Sequence, residues 1–307
     1  MTLAEEPSNT IHASDELAVS NRINEKTAAC NLLWHLPEGR AAALPKYTNY
    51  QPLVTHIKVE LTMPTSEANS LDPIVVARKI ASLDRFNLER DSPGFIFGGS
   101  SPDDAQIVSL IVLWHRYISS PFLKLESDLE PLTEEGLDRK FEDIPARTIE
   151  ICHWDPDFLP KGSNSIGRYL EIWSITIPAD LNAEQQRLTK ENFDTLQWFQ
   201  RELTANRTQL ATRGPVKDVS CAWMDARQVP EDELGTLHML IHWKSWDQEA
   251  DFKDPETETI GTNNSSISRD YWLKHIIRPM QELETVGCRV RSYRTEMKYF
   301  NGRRLLR

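Results

Sequence analysis

Residues 235–247, GTLHMLIHWKSWD, decide the fold because a second segment of the chain has the same pattern. That segment is residues 106–118, QIVSLIVLWHRYI. Each is an apolar run that ends in a tryptophan, becomes basic and leads into a short amphipathic segment. Runs rich in Ile, Leu, Val and Trp between polar residues are typical of buried strands. The pattern indicates an internal duplication in which Trp114 corresponds to Trp243.

Length, charge and cysteine content narrow the class of protein. The 307 residues suffice for one large domain or two ordinary ones. A formal net charge of −11 argues against nucleic-acid and anionic-membrane partners, and no apolar run reaches the ~18 residues of a membrane span. The four cysteines are far apart without C-x-x-C spacing, which argues against zinc sites and disulfides. We expect a cytoplasmic protein with reduced thiols.

Both repeats are predicted to have the element order β-α-β-β-α-β, which is ferredoxin-like. In the first repeat the hydrophobic patterns predict strands at 55–63, 94–98, 106–117 and 147–154, with helices at 73–86 and 121–129. In the second they predict strands at 169–177, 216–225, 236–243 and 289–297, with helices at 192–206 and 270–283.

These elements give four segments of chain. We predict an N-terminal extension at 1–53, a first ferredoxin-like repeat at 54–155, a linker at 156–168 and a second repeat at 169–307. The first twenty or so residues of the extension are expected to be mobile, and residues 27–34 to form a short helix.

The duplication resembles a known arrangement. A ferredoxin-like sheet carries its helices on one face, and two such sheets can close face to face into a barrel. The chain therefore resembles the dimeric α+β-barrel superfamily in its tandem, pseudo-dimeric form, over roughly residues 54–300. The resemblance implies an α+β fold with an enclosed site for a small ligand. That superfamily includes cofactor-free monooxygenases, polyketide cyclases, isomerases and haem enzymes, so the fold leaves function open.

The first strand provides the sharpest candidates for catalysis. Alternation sends its apolar residues towards the helices and sends His56, Lys58 and Glu60 towards the barrel space. Imidazole is the usual general acid or base near neutral pH. Lys58 could pair with Glu60 or bind an anionic oxygen. The alternative is an exposed strand with solvated charges.

Strands of the second repeat add further candidates. His238 and His242 lie on one face of their strand, where they either line a pocket or are core histidines bonded to carbonyl groups. Tyr293 lies beside Arg294, and a phenol among cations can stabilise an oxyanion. Cross-strand ion pairing explains the same charges equally well.

Four tryptophans fall on strands. If they line a cavity they favour a flat, unsaturated substrate, and the alternative is core packing. These four are Trp114, Trp173, Trp223 and Trp243.

Residues 242–245, HWKS, resemble a segment of the haem-containing aldoxime dehydratases. That resemblance implies one axial histidine in the following helical region and another on the last strand. Residues 254–268 contain no histidine, and the last-strand position falls near Arg294. His275 is a displaced candidate. We therefore expect no cofactor.

The sequence favours a cofactor-independent enzyme of secondary metabolism. It would act on a small, hydrophobic, polyketide- or terpenoid-like substrate by cyclisation, isomerisation or a lyase step. His56 or His242 would move a proton, and Tyr293 or Lys58 would steady an oxygen. The alternatives are a haem-dependent dehydratase and a non-catalytic stress-response or ligand-binding barrel. Because one chain supplies both sheets, we expect a monomer, or a weak homodimer through outer surfaces.

Overall fold

The computed structural model describes residues 10–33, 54–62, 93–114, 146–154, 166–205, 215–224, 228–253 and 269–301. The helices predicted at 73–86 and 121–129 lie outside the described residues, as does most of the predicted linker.

Eight strands form one antiparallel sheet. They are β1 (Val54–Leu61), β2 (Pro93–Ser100), β3 (Ile107–Trp114), β4 (Ala146–Trp154), β5 (Tyr169–Pro178), β6 (Val216–Trp223), β7 (Glu233–Trp243) and β8 (Arg289–Asn301). Their order is β4-β1-β3-β2-β8-β5-β7-β6. Each half therefore repeats the ferredoxin-like order fourth, first, third, second, and Trp114 and Trp243 end corresponding strands. The predicted α+β fold with tandem ferredoxin-like repeats is confirmed.

The two halves join edge to edge. β2 pairs with β8 from Phe95 opposite Asn301 to Ser100 opposite Glu296. At the other end of the sheet, β4 and β6 are connected through the isolated bridge between Trp154 and Met224. The two halves therefore form one continuous sheet, and its hydrogen-bond ladder is not fully closed between β4 and β6.

The sheet nevertheless curls far enough to enclose an interior. β4 and β7 are six strand spacings apart in the sheet order, which would be ~29 Å in a flat sheet. Yet Sγ of Cys152 on β4 lies 3.3 Å from Nε2 of His238 on β7. Side chains of distant strands therefore meet inside the curl.

Helices cover the outer face of the second half. They are α1 (Thr10–Leu33), α2 (Ala183–Ala205), α3 (Trp246–Lys253), α4 (Arg269–Trp272) and α5 (Arg278–Thr285), with a π-helical turn at Leu273–Ile277 between α4 and α5. The fully buried side chains of Phe193, Leu196 and Phe199 anchor α2. No helix among these described segments is both long and apolar enough to cross a membrane.

Helix α2 begins nine residues before the predicted start at 192. The backbone N–H of Gln185 donates to Oδ1 of Asn182 at 2.9 Å, and the N–H of Asn182 donates to Oε1 of Gln185 at 3.0 Å. This reciprocal pair is a capping box. The polar first turns of the helix concealed this start from a search for apolar periodicity.

Helix α1 differs most from the prediction. Where we expected mobile residues and a short helix at 27–34, the structure has a helix of 24 residues. It lies along the turn before β7: Arg22 pairs with Glu231, Lys26 donates to the carbonyl of Val229 at 3.2 Å, and Cys30 is buried. Contacts with the rest of the chain, rather than an apolar face, fix this helix.

A glycine at the seam between the halves gives a test of the architecture. A Cβ on Gly99 would overlap the backbone carbonyl oxygen of Glu296 on β8. We expect Gly99→Ala to lower the free energy of unfolding by ~3 kcal/mol, at the upper end of overpacking costs, as measured by urea denaturation. Ser100→Ala on the same strand adds no atoms and should cost less than ~1 kcal/mol. Equal effects of the two substitutions would contradict this account of the seam.

Candidate active site

The interior of the curled sheet holds a hydrogen-bonded group built from three strands. Nε2 of His56 on β1 lies 2.5 Å from the hydroxyl of Tyr293 on β8 and 3.0 Å from Oγ of Ser109 on β3. The Ser109 and Tyr293 hydroxyls are 3.3 Å apart. Because β1 and β8 belong to different halves, this contact forms only when both halves are in place.

Burial keeps this group neutral. Desolvation lowers the pKa of His56 well below 6.5, and the nearby His238 and Lys58 lower it further. Desolvation also raises the pKa of Tyr293 well above 10. At neutral pH the phenol therefore keeps its proton and the imidazole carries no charge. The pair therefore offers one neutral proton donor, the phenol, and one neutral proton acceptor, the imidazole, side by side in the interior.

A second hydrogen-bonded group lies beside the first. Nε2 of His238 is 3.3 Å from Sγ of Cys152, and Nδ1 is 3.0 Å from Oγ of Ser174. The indole of Trp154 stacks on the His56 ring with centroids 5.0 Å apart and lies 5.6 Å from the His238 ring. The two imidazole centroids are 6.2 Å apart. Burial lowers the pKa of His238 to about 4.

Lys58 and Glu60 lie further along β1, where the interior face meets solvent. The Lys58 ammonium is 5.5 Å from the centre of the Tyr293 ring and 3.5 Å from Glu150. Glu60 accepts from Thr148 at 3.2 Å and lies 3.5 Å from Arg147. Lys58 therefore pairs with Glu150 across the strands instead of with Glu60. These charges border the buried group without joining its hydrogen bonds.

His242 lies on the same face of β7 as His238, four residues further along the strand. Its Nδ1 accepts from the backbone N–H of Gly167 at 2.9 Å, and its Nε2 lies 3.3 Å from Oγ of Ser220. Both ring nitrogens are thus bonded to neighbouring strands or turns. The structure gives His242 a positioning role for the backbone at Gly167 and does not bring it to the His56 group.

Two of the predicted tryptophans, Trp223 and Trp243, pack against helices. Trp223 stacks on Phe193 of α2, with centroids 6.0 Å apart. Trp243 packs against Trp272, with centroids 5.3 Å apart, on the helix-facing side of the sheet. Both belong to the core, which is the alternative to cavity lining that the sequence left open. Trp173 is half-buried, and the Trp114 side chain lies outside the described residues.

Arg294 is the centre of a chain of ion pairs and is not free to hold a substrate. It bonds Glu249 of α3 at 2.6 Å and Asp103 of the β2–β3 turn at 2.6 Å. Lys253 joins Glu249 at 2.6 Å to Glu171 at 2.9 Å. These ion pairs link α3 to β5 and β8 of the second half and to the β2–β3 turn of the first half. Ion pairing therefore accounts for Arg294, although its partners lie on a turn and a helix and not on a neighbouring strand.

Four members of the two interior groups were not predicted. Ser109, Cys152, Trp154 and Ser174 were assigned only to strands, because the partner of each lies on a different strand. A signal existed for Ser109: it is the one polar residue within the apolar run at 107–114. Cys152 and Trp154 alternate with His153 on the last strand of the first repeat. This alternation puts them on the same face of the strand, but it does not tell whether that face is the interior one.

The described side chains limit where a metal ion or a haem could bind. No group of three or more His, Cys, Asp or Glu side chains that could hold a metal ion occurs among them. Neither nitrogen of His242 is available as an axial ligand, and the His275 ring lies against Trp198 with centroids 4.8 Å apart. Among the described residues, the axial histidine that the resemblance implies on the last strand is absent, and the lack of a cofactor stays a prediction.

Comparisons with known proteins bear on the fold. No protein-family model and no curated protein matches the chain. An anthrone oxidase-like protein of known structure is 12% identical and is matched over 82% of this chain and 94% of its own, with a TM-score of 0.48. An aldoxime dehydratase is 13% identical over 87% of this chain and 91% of its own, with a TM-score of 0.27. At these levels the strand order itself remains the basis of the fold assignment.

The buried imidazoles predict how stability depends on pH. Below pH ~6.5 the unfolded chain protonates His56 and His238 while the folded protein does not. Stability is therefore fully present above pH ~6.5 and is lost as the pH falls towards the folded-state values, about 4 for His238. His238 should remove about 2 kcal/mol of the free energy of unfolding between pH 7 and pH 5, and His56 should act in the same direction.

Urea denaturation at pH 7, 6 and 5 measures this loss. His238→Gln removes one of the two groups, so the variant should lose about 2 kcal/mol less than the wild type over this range. Carboxylates contribute mainly below this range, because their unfolded pKa values are near 4. Parallel pH profiles for the two proteins would contradict a neutral, buried His238.

Proposed function

We propose that the protein is an enzyme that moves protons on a small, largely hydrophobic substrate held inside the curled sheet, without a cofactor. The reaction would be an isomerisation, a cyclisation or a related lyase step. The observation that carries the proposal is the 2.5 Å contact between His56 and Tyr293 in the interior.

The chemistry follows from the neutrality of this pair. The Tyr293 hydroxyl can donate a hydrogen bond to a carbonyl oxygen of the substrate, while Nε2 of His56 takes a proton from the carbon beside that carbonyl and later returns it. Charged forms of both groups are costly in the buried interior. In the transition state, negative charge develops on the substrate oxygen. This charge stabilises a protonated His56 beside it and so offsets the cost of burying an imidazolium. That stabilisation arises in the transition state more than in the bound substrate, which is what accelerates a reaction.

The lining indicates the substrate class. Aromatic rings and hydroxyl groups surround the pair, with Trp154 stacked on His56. Paired charges begin only at Lys58, near solvent. Desolvating a charged ligand next to neutral groups would be costly. A neutral ketone or enone with an apolar body fits this lining.

Deuterium exchange tests the proposal without knowledge of the natural substrate. Small cyclic ketones and 1,3-diketones exchange the hydrogens beside their carbonyl groups when an acid and a base act together. We expect the protein to accelerate exchange from D₂O, as measured by NMR. Tyr293→Phe and His56→Ala should each lower the acceleration by ~10²-fold, a usual general acid–base contribution.

Two matched variants control for structure. Tyr299→Phe removes a phenol from the same strand at an exposed position, and His242→Gln removes a buried interior imidazole outside the pair. Both should keep the exchange rate. Ketones that bind without any accelerated exchange would favour a ligand-binding protein over an enzyme. Full activity of Tyr293→Phe would overturn the proposed role of the pair.

The predicted lack of a cofactor has its own measurement. We expect the purified protein to be colourless and to sediment as a monomer, because both halves of the sheet come from one chain. A strong Soret band in the visible spectrum would instead indicate haem and would overturn the cofactor-free proposal, with His275 as the candidate ligand.

A further inference from the structure

The hydrogen bonds of His238 are not used by the proton transfer proposed above. This imidazole has a thiol on one nitrogen and a hydroxyl on the other: Cys152 at 3.3 Å and Ser174 at 3.0 Å. If Nδ1–H donates to Oγ of Ser174, the lone pair of Nε2 faces the thiol. Nucleophile, base and orienting group in this sequence form the usual arrangement of an activated nucleophile.

We propose that Cys152 is a nucleophile with His238 as its base, and that it forms a thioether with small α,β-unsaturated carbonyl compounds inside the curled sheet. Ser174 is a positioning residue, because it acts on the thiol only through the His238 ring.

The location supports a reaction with a ligand. Cys152 and His238 lie in the interior beside Trp154, whose ring is 5.6 Å from that of His238, and so next to the place proposed for the substrate. Cys221, in contrast, is completely buried in the core. An enone whose ring lies against Trp154 would be within reach of the thiol and of the His56–Tyr293 pair, since the two imidazole centroids are 6.2 Å apart.

The step balances without another reactant. The Cys152 thiol gives its proton to Nε2 of His238 as sulfur attacks the β-carbon. The electrons of the carbon–carbon double bond move to the carbonyl oxygen as an enolate. The α-carbon then takes a proton back from His238. The net change is addition of S–H across the double bond, which is neither oxidation nor reduction.

The other cysteines provide internal controls. Cys30 is 8% exposed, close to the exposure of Cys152, but its sulfur faces the carbonyl of Leu234 at 3.7 Å and has no histidine beside it. Burial raises the pKa of Cys30 to about 12 and that of Cys288 to about 11. A difference in reactivity between Cys152 and Cys30 therefore reports the histidine and not exposure.

The experiment treats the folded full-length chain with N-ethylmaleimide, an α,β-unsaturated dicarbonyl compound, for a series of short times. Peptide mass mapping then gives the rate at each cysteine. We expect Cys152 to react at least roughly tenfold faster than Cys30, as for a difference of one unit in thiol pKa. His238→Gln should reduce the Cys152 rate to that of Cys30.

Ser174 has a separate test, which also serves if His238→Gln does not fold. Ser174→Ala should slow the Cys152 reaction and displace its pH profile, whereas Ser174→Thr keeps the hydroxyl and should restore both. Simultaneous reaction of all four cysteines, which would track unfolding, overturns the proposal. So does a Cys30 rate equal to that of Cys152, or an unchanged Cys152 rate in the folded His238→Gln variant.

The outcome is independent of the proposed proton transfer. Labelling measures formation of an adduct at Cys152, and deuterium exchange measures turnover at His56 and Tyr293. Either result can fail while the other holds.

Discussion

Pairing between β2 and β8 is the contact on which the rest of the structure depends. It joins two four-stranded halves into one sheet, and it places Tyr293 on a strand that the curl brings over β1. The pairing in turn requires Gly99, because the β8 backbone lies where any other side chain would begin. A site made by His56 and Tyr293 thus depends on a backbone contact at a residue that takes no part in the chemistry.

The interior of this sheet contains polar groups where most barrels of this size would pack hydrocarbon. Neutral imidazoles, hydroxyls and a thiol satisfy one another there, which limits the cost of removing them from water. The arrangement still lowers stability in mild acid, since the folded protein cannot take up the protons that the unfolded chain binds. Functional sites often lower the free energy of unfolding of a protein in this way. The fully apolar outer face of β7, with Leu237, Met239 and Ile241, shows that the same strand can pack without polar residues.

Much of the fold could be predicted from the sequence because strands carry their own signal. The alternation at His56 to Glu60 and the two runs ending in Trp114 and Trp243 sufficed for the strand order. Helix α1 could not be predicted in the same way, because it has no apolar face and its position comes from contacts with residues about two hundred positions away.

Only part of the site could be predicted, because contacts between distant strands leave no local pattern in the sequence. His56 and Tyr293 were chosen as isolated chemical groups, and their 2.5 Å contact was not predictable because it depends on curvature across β3 and β2. Cys152 lacked any local signal, since its partner lies on a strand at the far side of the sheet. The ion pairs of Arg294 were not predictable because its partners, Asp103 in the β2–β3 turn and Glu249 in α3, are brought together only by the fold.

Fusing the two halves into one chain frees the interior from two-fold symmetry. Ser109 and His238 occupy corresponding places, at the same distance before the tryptophan that ends each third strand, and their cross-strand neighbours are Lys58 and Ser174. A homodimer of single repeats would have to present identical residues at both places. In the single chain one place holds a hydroxyl and the other an imidazole, so an asymmetric molecule can be met by different groups on its two sides.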